Sequence, residues 1–235
     1  MSNGTLYLIP VPLGEMQPEF VIPAHNTAVI NTIGEFIVED LRTARRHLKL
    51  MGMKQPIDTL VFHELGKHSD EQQYSSYLAS TALGKSIGLL SDAGCPGVAD
   101  PGAAVIRIAH EKNIPVVPLT GPSSILLALM ASGSNGQHFI FHGYLPKDRP
   151  ERIRKLRDLE RNCTSLKQTQ IFIETPFRNE HMLEDILSEC KNDTRLCIAC
   201  DITLPSEFIH TKTVAEWKKL KTTLNKRPAV FLICS

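Results

Sequence analysis

The sequence predicts an α/β protein of two successive domains, with a parallel sheet in the first and a mixed sheet in the second. Three observations carry that prediction. Short apolar runs alternate with segments of helical spacing through the first half, which is the rhythm of βαβ units. In the second half the runs near Asp201 and Glu207 have no helix between them, so an antiparallel pair is expected there. The run S-D-A-G-C-P-G-V-A-D-P-G, residues 91–102, is a loop of small residues set between an apolar strand and a helical segment.

Taken in order, residues 5–10 (T-L-Y-L-I-P) form the first strand and lead into V-P-L-G-E, a turn bearing proline and glycine. That turn is neither the dinucleotide-binding G-x-G-x-x-G nor a P-loop ending in G-K-[ST], which argues against a standard NAD or nucleoside-triphosphate site. Residues 23–33 read as a short helix and 35–38 as a strand ending in Glu39-Asp40. Residues 41–51 form a helix rich in Arg and Lys that stops at Gly52. A strand at 59–65 precedes a helix at 70–83 with Tyr74, Tyr77 and Leu78 at helical spacing. Strands at 87–90 and 115–118 complete the first sheet. Between them Asp100 precedes Pro101, the order of an N-cap followed by proline at the first helical position, so a helix is expected over 102–112. L-T-G-P at 119–122 reads as a linker and divides a domain 1–118 from a domain 119–235. In the second domain a helix at 123–132 closes at Gly133. Strands are expected at 138–143, 169–174, 195–201, 207–212 and 229–234, and helices at 150–162, 177–191 and 214–224.

Composition bounds the function. The 235 residues are 42% hydrophobic and 22% charged with net charge +1, so any affinity for nucleic acid must come from local patches and not from a global field. No apolar run is long enough to span a bilayer, and the M-S-N-G-T-L-Y start lacks a basic-then-apolar signal; a cytoplasmic protein is expected. The six cysteines have no framework spacing. Cys197-x-x-Cys200 lies in a strand, where that spacing points to opposite faces, and no second pair completes a metal site. These are expected to be buried structural thiols, with no metal.

The loop at 91–102 follows the carboxyl end of a parallel strand, where α/β sheets bind ligands and where glycine lets a ligand approach the backbone. A tight connection that merely needs special dihedrals has the same composition, and both readings stand. Glu39, Asp40, Asp92 and Asp100 are the acids at strand ends or helix starts, as catalytic groups or as caps and loop acceptors. Residues 147–161 hold seven basic and four acidic side chains. They form either a solvated helix laced with pairs such as Glu151 with Lys155, or a phosphate-contacting face that includes Arg152 and Arg154. Arg42, Arg45, Arg46 and Lys49 form a second basic cluster. His63-Glu64 lacks a second histidine of H-E-x-x-H, and neither His63 nor His142 is assigned a catalytic role.

T-L-Y-L-I-P-V-P-L-G-E, E-D-L-R at 39–42, the loop at 91–102, P-L-T-G-P-S-S, F-H-G-Y-L-P and I-E-T-P-F-R together resemble the tetrapyrrole methylase superfamily. The sequence is most similar to the branch that methylates a cytidine ribose 2′-hydroxyl in small-subunit ribosomal RNA. The resemblance runs along nearly the whole chain and implies two α/β domains, S-adenosylmethionine in a cleft between them, and a homodimer. Carried over by position, the cofactor residues are Pro12, Leu13, Cys95 and Val98, then Ser124 and Ile125, then Glu174, Ala199, Cys200, Pro228, Ala229 and Val230. Arg42, Arg152 and Arg154 are the expected substrate contacts, and Asp92, Glu39 and Asp40 the catalytic candidates. Relatives carry Glu where Asp201 stands, Lys at Leu204 and a G-E pair at Arg227-Pro228. Two further functions therefore stay in view: methylation of a small molecule such as a tetrapyrrole, and a non-catalytic cofactor- and RNA-binding assembly factor.

Overall fold

The computed structural model describes residues 3–66 and 71–234, which fall into two compact units, Met1–Ser123 and Ser124–Ser235. Asp70, expected to open a helix, lies outside the described residues.

The first unit holds five parallel strands: β1 (Leu6–Ile9), β2 (Glu35–Val38), β3 (Val61–Glu64), β4 (Ile87–Leu90) and β5 (Val116–Pro118), in the order β3-β2-β4-β1-β5. Alternate residues feed two cores. Tyr7, Ile9, Phe36, Val38 and Leu90 pack with Ile30 of α1 (Ala24–Ile30) and with Ala44 and Leu48 of α2 (Leu41–Leu50). Leu6, Ile37, Ile87 and Leu89 pack on the opposite face with Tyr74 and Tyr77 of α3 (Glu71–Tyr77), and with Val105 and Ile108 of α4 (Ala103–Glu111). The chain thus leaves β1 and β2 toward one face and β4 toward the other. The crevices on either side of β4 are topological switch points, where the carboxyl ends of strands open to a ligand.

The predicted N-cap at Asp100 is not formed. Helix α4 starts two residues later, behind Gly102 at φ 128°, a conformation that glycine adopts without strain. Pro101 is left outside the helix, and the Asp100 carboxyl is not spent on a cap. The 119–122 stretch is tied into the first unit. Leu119 N–H donates to Leu8 O (2.9 Å), and the buried Asn26 donates through Nδ2 to Thr120 O (2.8 Å).

The second unit holds α5 (Ser124–Ser132), β6 (Phe139–Tyr144), α6 (Arg149–Leu166), β7 (Thr169–Glu174), α7 (Asn179–Glu189), β8 (Arg195–Cys200), β9 (Phe208–Thr213), α8 (Val214–Trp217) and β10 (Ala229–Cys234). Its sheet, β6-β7-β10-β8-β9, is mixed: β6 runs parallel to β7, and the other three pairs are antiparallel, β8 with β9 among them. Central β10, A-V-F-L-I-C, is buried at every residue, as a strand covered on both faces must be. Leu156, Leu159 and Cys163 of α6, with Met182 and Ile186 of α7 and Trp217, close one face over the stacked pair Phe172–Phe231. The helix expected over 214–224 ends after one turn. A capping box, Thr213 with Glu216, starts it, but Lys218, Lys219 and Lys221 then crowd like charges where an apolar face would have to continue. Cys197 pairs through the sheet with Thr211, whereas Cys200 joins the helix-covered core, so the two lie on opposite faces of β8. Burial pushes both thiols up to about 11.

Candidate functional site

Three loops of the first unit meet at the carboxyl edge of its sheet. Val11 and Gly94 exchange backbone hydrogen bonds (2.9 and 3.1 Å), which joins the turn after β1 to the loop after β4. Gly94 takes φ +75°, and a Cβ there would stand 3.1 Å from Leu13 Cδ2 and 3.5 Å from Pro122 O. The third loop enters through Pro122, whose carbonyl accepts from Cys95 Sγ (3.4 Å). Leu13 and Cys95 are half-buried, Pro12 is buried, and Val98 is exposed. Two of the expected cofactor residues, Leu13 and Cys95, therefore border a backbone cradle tied by the Val11–Gly94 pair, with the Leu13 side chain standing against Gly94. That cradle suits a flat ligand held by main-chain groups, and a side chain at Gly94 would fill it.

The structure brings all four predicted acids together here. Glu39 ends the β2 loop, and its carboxyl is raised by burial, then by the charges of Asp92, Asp100 and Asp40. Asp92, after β4, is raised by burial and by Asp40, partly offset by a hydrogen bond from the Asp40 backbone. Asp100 is pushed up to about 6 by burial and by Asp92. Asp40 goes the other way. Its Oδ1 accepts from Thr43 N–H (2.7 Å) as the N-cap of α2, and hydrogen bonding from the Thr43 side chain, then from its backbone, lowers its pKa. Of the catalytic candidates, Asp40 is thus committed as a cap, while Glu39 and Asp92 hold their protons more tightly than exposed carboxylates, as a general base requires. Among the described residues no group of three or more His, Cys, Asp or Glu side chains is arranged to hold a metal ion.

Crowded acids leave a stability signature. Asp100 has a folded pKa of about 6, above the ordinary carboxylate value near 4 of an unfolded chain. Folding therefore takes up a proton between those values, and stability falls as pH rises from about 4 to about 6. Asp100→Asn removes the charge. Thermal melts are expected to show a gain held to about 1 kcal/mol, or ~2–4 °C, at pH 7 by solvent screening of the half-exposed carboxylate, and none at pH 4. A variant that is equally stabilised at both pH values would contradict this assignment.

His47 escaped the sequence reading. It is buried on α2, and its Nε2–H donates to the backbone carbonyl of Asp92 (3.1 Å), so it fixes the loop that carries the candidate base. Burial lowers its pKa and keeps it neutral. Its position at three residues from Ala44 and beside Leu48 on the apolar face was the available signal.

In the second unit, the expected cofactor residues form one row across three strands. Ala229 is in register with both Glu174 and Cys200, and Val230 with Ala199. Glu174 is buried; its Oε1 accepts from Thr175 N–H (2.6 Å) and Arg178 Nη2 (2.5 Å). Ser124 and Ile125 form the first turn of α5.

The predicted substrate contacts divide. Arg152 continues the stripe of Leu156, Leu159 and Cys163 and is buried with them. Its Nη2 and Nε both engage Asp185 Oδ2 (2.6 and 2.8 Å), and its Nη1 donates to Lys147 O (2.8 Å). It braces α6 against α7 and is not available to a phosphate. Arg149, Arg157 and Arg161 pair with Asp185, Glu189 and Asp158, and the Glu151–Lys155 pair is not formed among the described residues. Arg154 is exposed and makes no ion pair among the described residues. On α2, Arg46 pairs with Glu15 and Arg45 stacks over Phe62, while Arg42 and Lys49 are exposed and make no ion pair among the described residues.

The model of the family Tetrapyrrole (Corrin/Porphyrin) Methylases matches residues 29–218. A ribosomal RNA small subunit methyltransferase I from Escherichia coli O157:H7 is 31% identical over 235 residues, covering 99% of this chain and 78% of that protein. Its namesake from Bacillus subtilis is 30% identical over 213 residues, covering 91% and 68%. Among solved structures, the methyltransferase CobJ superposes with a TM-score of 0.64 at 18% identity, covering 99% of this chain and 94% of that one. A uroporphyrin-III C-methyl transferase from Thermus thermophilus, complexed with S-adenyl homocysteine, superposes with 0.56 at 14%, covering 99% and 98%. At those identities the two structures share the fold.

Proposed function

The chain belongs to the tetrapyrrole methylase family, and from that premise we propose that it is an S-adenosylmethionine-dependent methyltransferase acting on a ribose 2′-hydroxyl of small-subunit ribosomal RNA. The observation that carries the acceptor is the likeness along 99% of this chain, at 31% identity, to a protein named for methylation of that RNA. The solved tetrapyrrole-methylating structures, at 18% and 14% identity, share the fold alone.

When bound, S-adenosylmethionine supplies a methyl carbon activated on a sulfonium. The chain's residues supply position and a proton acceptor. Leu13, Gly94 and Cys95 offer the backbone cradle of the first unit, and the Glu174–Ala229–Cys200 row offers a second bank of main-chain groups. Asp92 takes the hydroxyl proton as the new bond forms; burial and the neighbouring Asp40 charge raise its proton affinity, and Glu39 is the further acid beside it. Arg42 and Arg154, exposed and without ion pairs among the described residues, are the cations offered to the RNA backbone. A homodimer belongs to the same proposal: Leu126 and Met130 of α5 stand 52% and 78% exposed beside an apolar groove of about 320 Å³ lined by Leu127, Ile202 and Ile209.

The test is methyl transfer from labelled cofactor to small-subunit RNA of a strain lacking this gene, with a tetrapyrrole as rival acceptor and sedimentation to count subunits. Label in the tetrapyrrole and none in RNA would overturn the acceptor. RNA binding is expected to weaken with salt, and Arg42→Gln with Arg154→Gln to lower the log–log slope by about 0.7 per phosphate no longer neutralised. Arg152→Met is expected to leave that slope alone and to lower the melting temperature, since it strands Asp185 in the core.

A further inference from the structure

Asp201 and Arg227, 26 residues apart in sequence, meet in space. Arg227 Nε donates to Asp201 Oδ2 (2.8 Å) and its Nη2 to Ser206 O (2.8 Å), with the guanidinium 5.9 Å over the Phe208 ring. Asp201 Oδ2 also accepts from Ser206 Oγ (3.0 Å), and Asp201 N–H donates to Pro228 O (3.1 Å). From the other side, the fully buried Asn179 donates through Nδ2 to Arg227 O (2.6 Å), and Lys226 N–H donates to Pro176 O (3.1 Å). The Arg227 side chain therefore ties the approach to β10 to the β8–β9 corner, while the backbone of Lys226 and Arg227 ties the same approach to the turn after β7 and the start of α7.

The corner needs holding. Asp201 and Thr203 lie at φ 48° and 74°, in the left-handed region, and for a β-branched threonine that conformation persists only when the surroundings impose it. Thr203 N–H donates to Glu207 Oε2 (2.8 Å), and the ion pair holds the corner at Asp201. Its side chains are 29% and 10% exposed, so removing either partner leaves a poorly solvated charge. Lysine cannot replace the planar fork that reaches Asp201 and Ser206 together. The same three loops end at Glu174, at Ala199 and Cys200, and at Pro228, Ala229 and Val230, the second unit's row for the cofactor.

We infer that Arg227, paired with Asp201, is a positioning residue for S-adenosylmethionine and sets the affinity of the second unit's row for it; this rests on the methyltransferase reading. The pair touches no reacting atom and acts through the backbone of residues 228–230 and the corner at 201. Calorimetric titration of the full-length chain with S-adenosylmethionine reports affinity and active fraction separately. Arg227→Met is expected to raise Kd about tenfold at unchanged stoichiometry, and Arg227→Lys to recover little of that loss. Asp201→Asn, nearly isosteric and tolerant of the left-handed region, is expected to raise Kd in the same direction. The double variant should be no weaker than Arg227→Met, because both changes break one unit. With wild type, kcat at saturating cofactor should agree within about twofold for Asp201→Asn, so that the effect reads in KM. Lowered stoichiometry with unchanged Kd in these variants, or wild-type affinity in both singles, would overturn the inference alone. A folded wild type that takes up no S-adenosylmethionine would overturn the methyltransferase reading and this inference with it.

Discussion

Gly94→Trp is expected to raise the Kd for S-adenosylmethionine by about 100-fold or more, because it removes an entire cradle. Gly94 stands where the turn after β1, the loop after β4 and Pro122 come together, and even a Cβ would press on Leu13 Cδ2 at 3.1 Å. An indole cannot be placed there without occupying the surface that the cofactor's main-chain partners need. Gly94→Ala separates bulk from backbone. Both variants must hold φ +75°, which costs an L-residue roughly 1 kcal/mol, so both should melt lower, the tryptophan by more because its ring must also displace Leu13. Only the tryptophan should abolish binding. Calorimetry on folded protein checks this, and wild-type affinity in Gly94→Trp would move the cofactor away from this loop.

Asp92→Asn is expected to lower kcat by about 100-fold while changing cofactor Kd less than about threefold, the mark of a group used in the transition state. Asp92 is the acid that follows β4, the strand flanked by both switch points, and His47 anchors its carbonyl (3.1 Å). Burial and Asp40 raise its pKa, so its proton affinity is closer to that of a neutral-pH base than an exposed aspartate's. Glu39→Gln should cost about tenfold, since it changes the field around the base and not the base itself. The acid must be ionised to accept a proton, so activity is expected to rise with pH through the raised carboxylate range and then level off. An Asp92→Asn enzyme with wild-type kcat would dismiss Asp92 as the base.

Secondary structure was legible where local physics decides it. Strands β2, β4, β7 and β10 fall on the predicted residues, because apolar runs bounded by charge and glycine leave one period to follow. The α2 cap at Asp40 was likewise written locally, as an Asp before a helical run. Asp100 shows the limit. Its neighbour Pro101 gives a strong capping signal, yet Gly102 can turn at φ 128° and start the helix two residues on, so packing against Leu89 decided between two allowed starts.

By itself the sequence determined the element order, the two sheets, the loop at 91–102 and the family. Each of these depends on spacing within a few residues or on patterns matched along the chain. Tertiary structure alone decided which charged groups are engaged. Arg152 and Arg154 look alike in sequence, but the 3.6-residue period turns one inward to Asp185 and the other to solvent. Asp92 and Glu39 are separated by dozens of residues, and Asp201 and Arg227 by 26. Their pKa shifts and ion pairs arise from distances and desolvation that exist only after the strands align. A pairwise Coulomb energy depends on separation in space, and sequence separation carries almost no information about it.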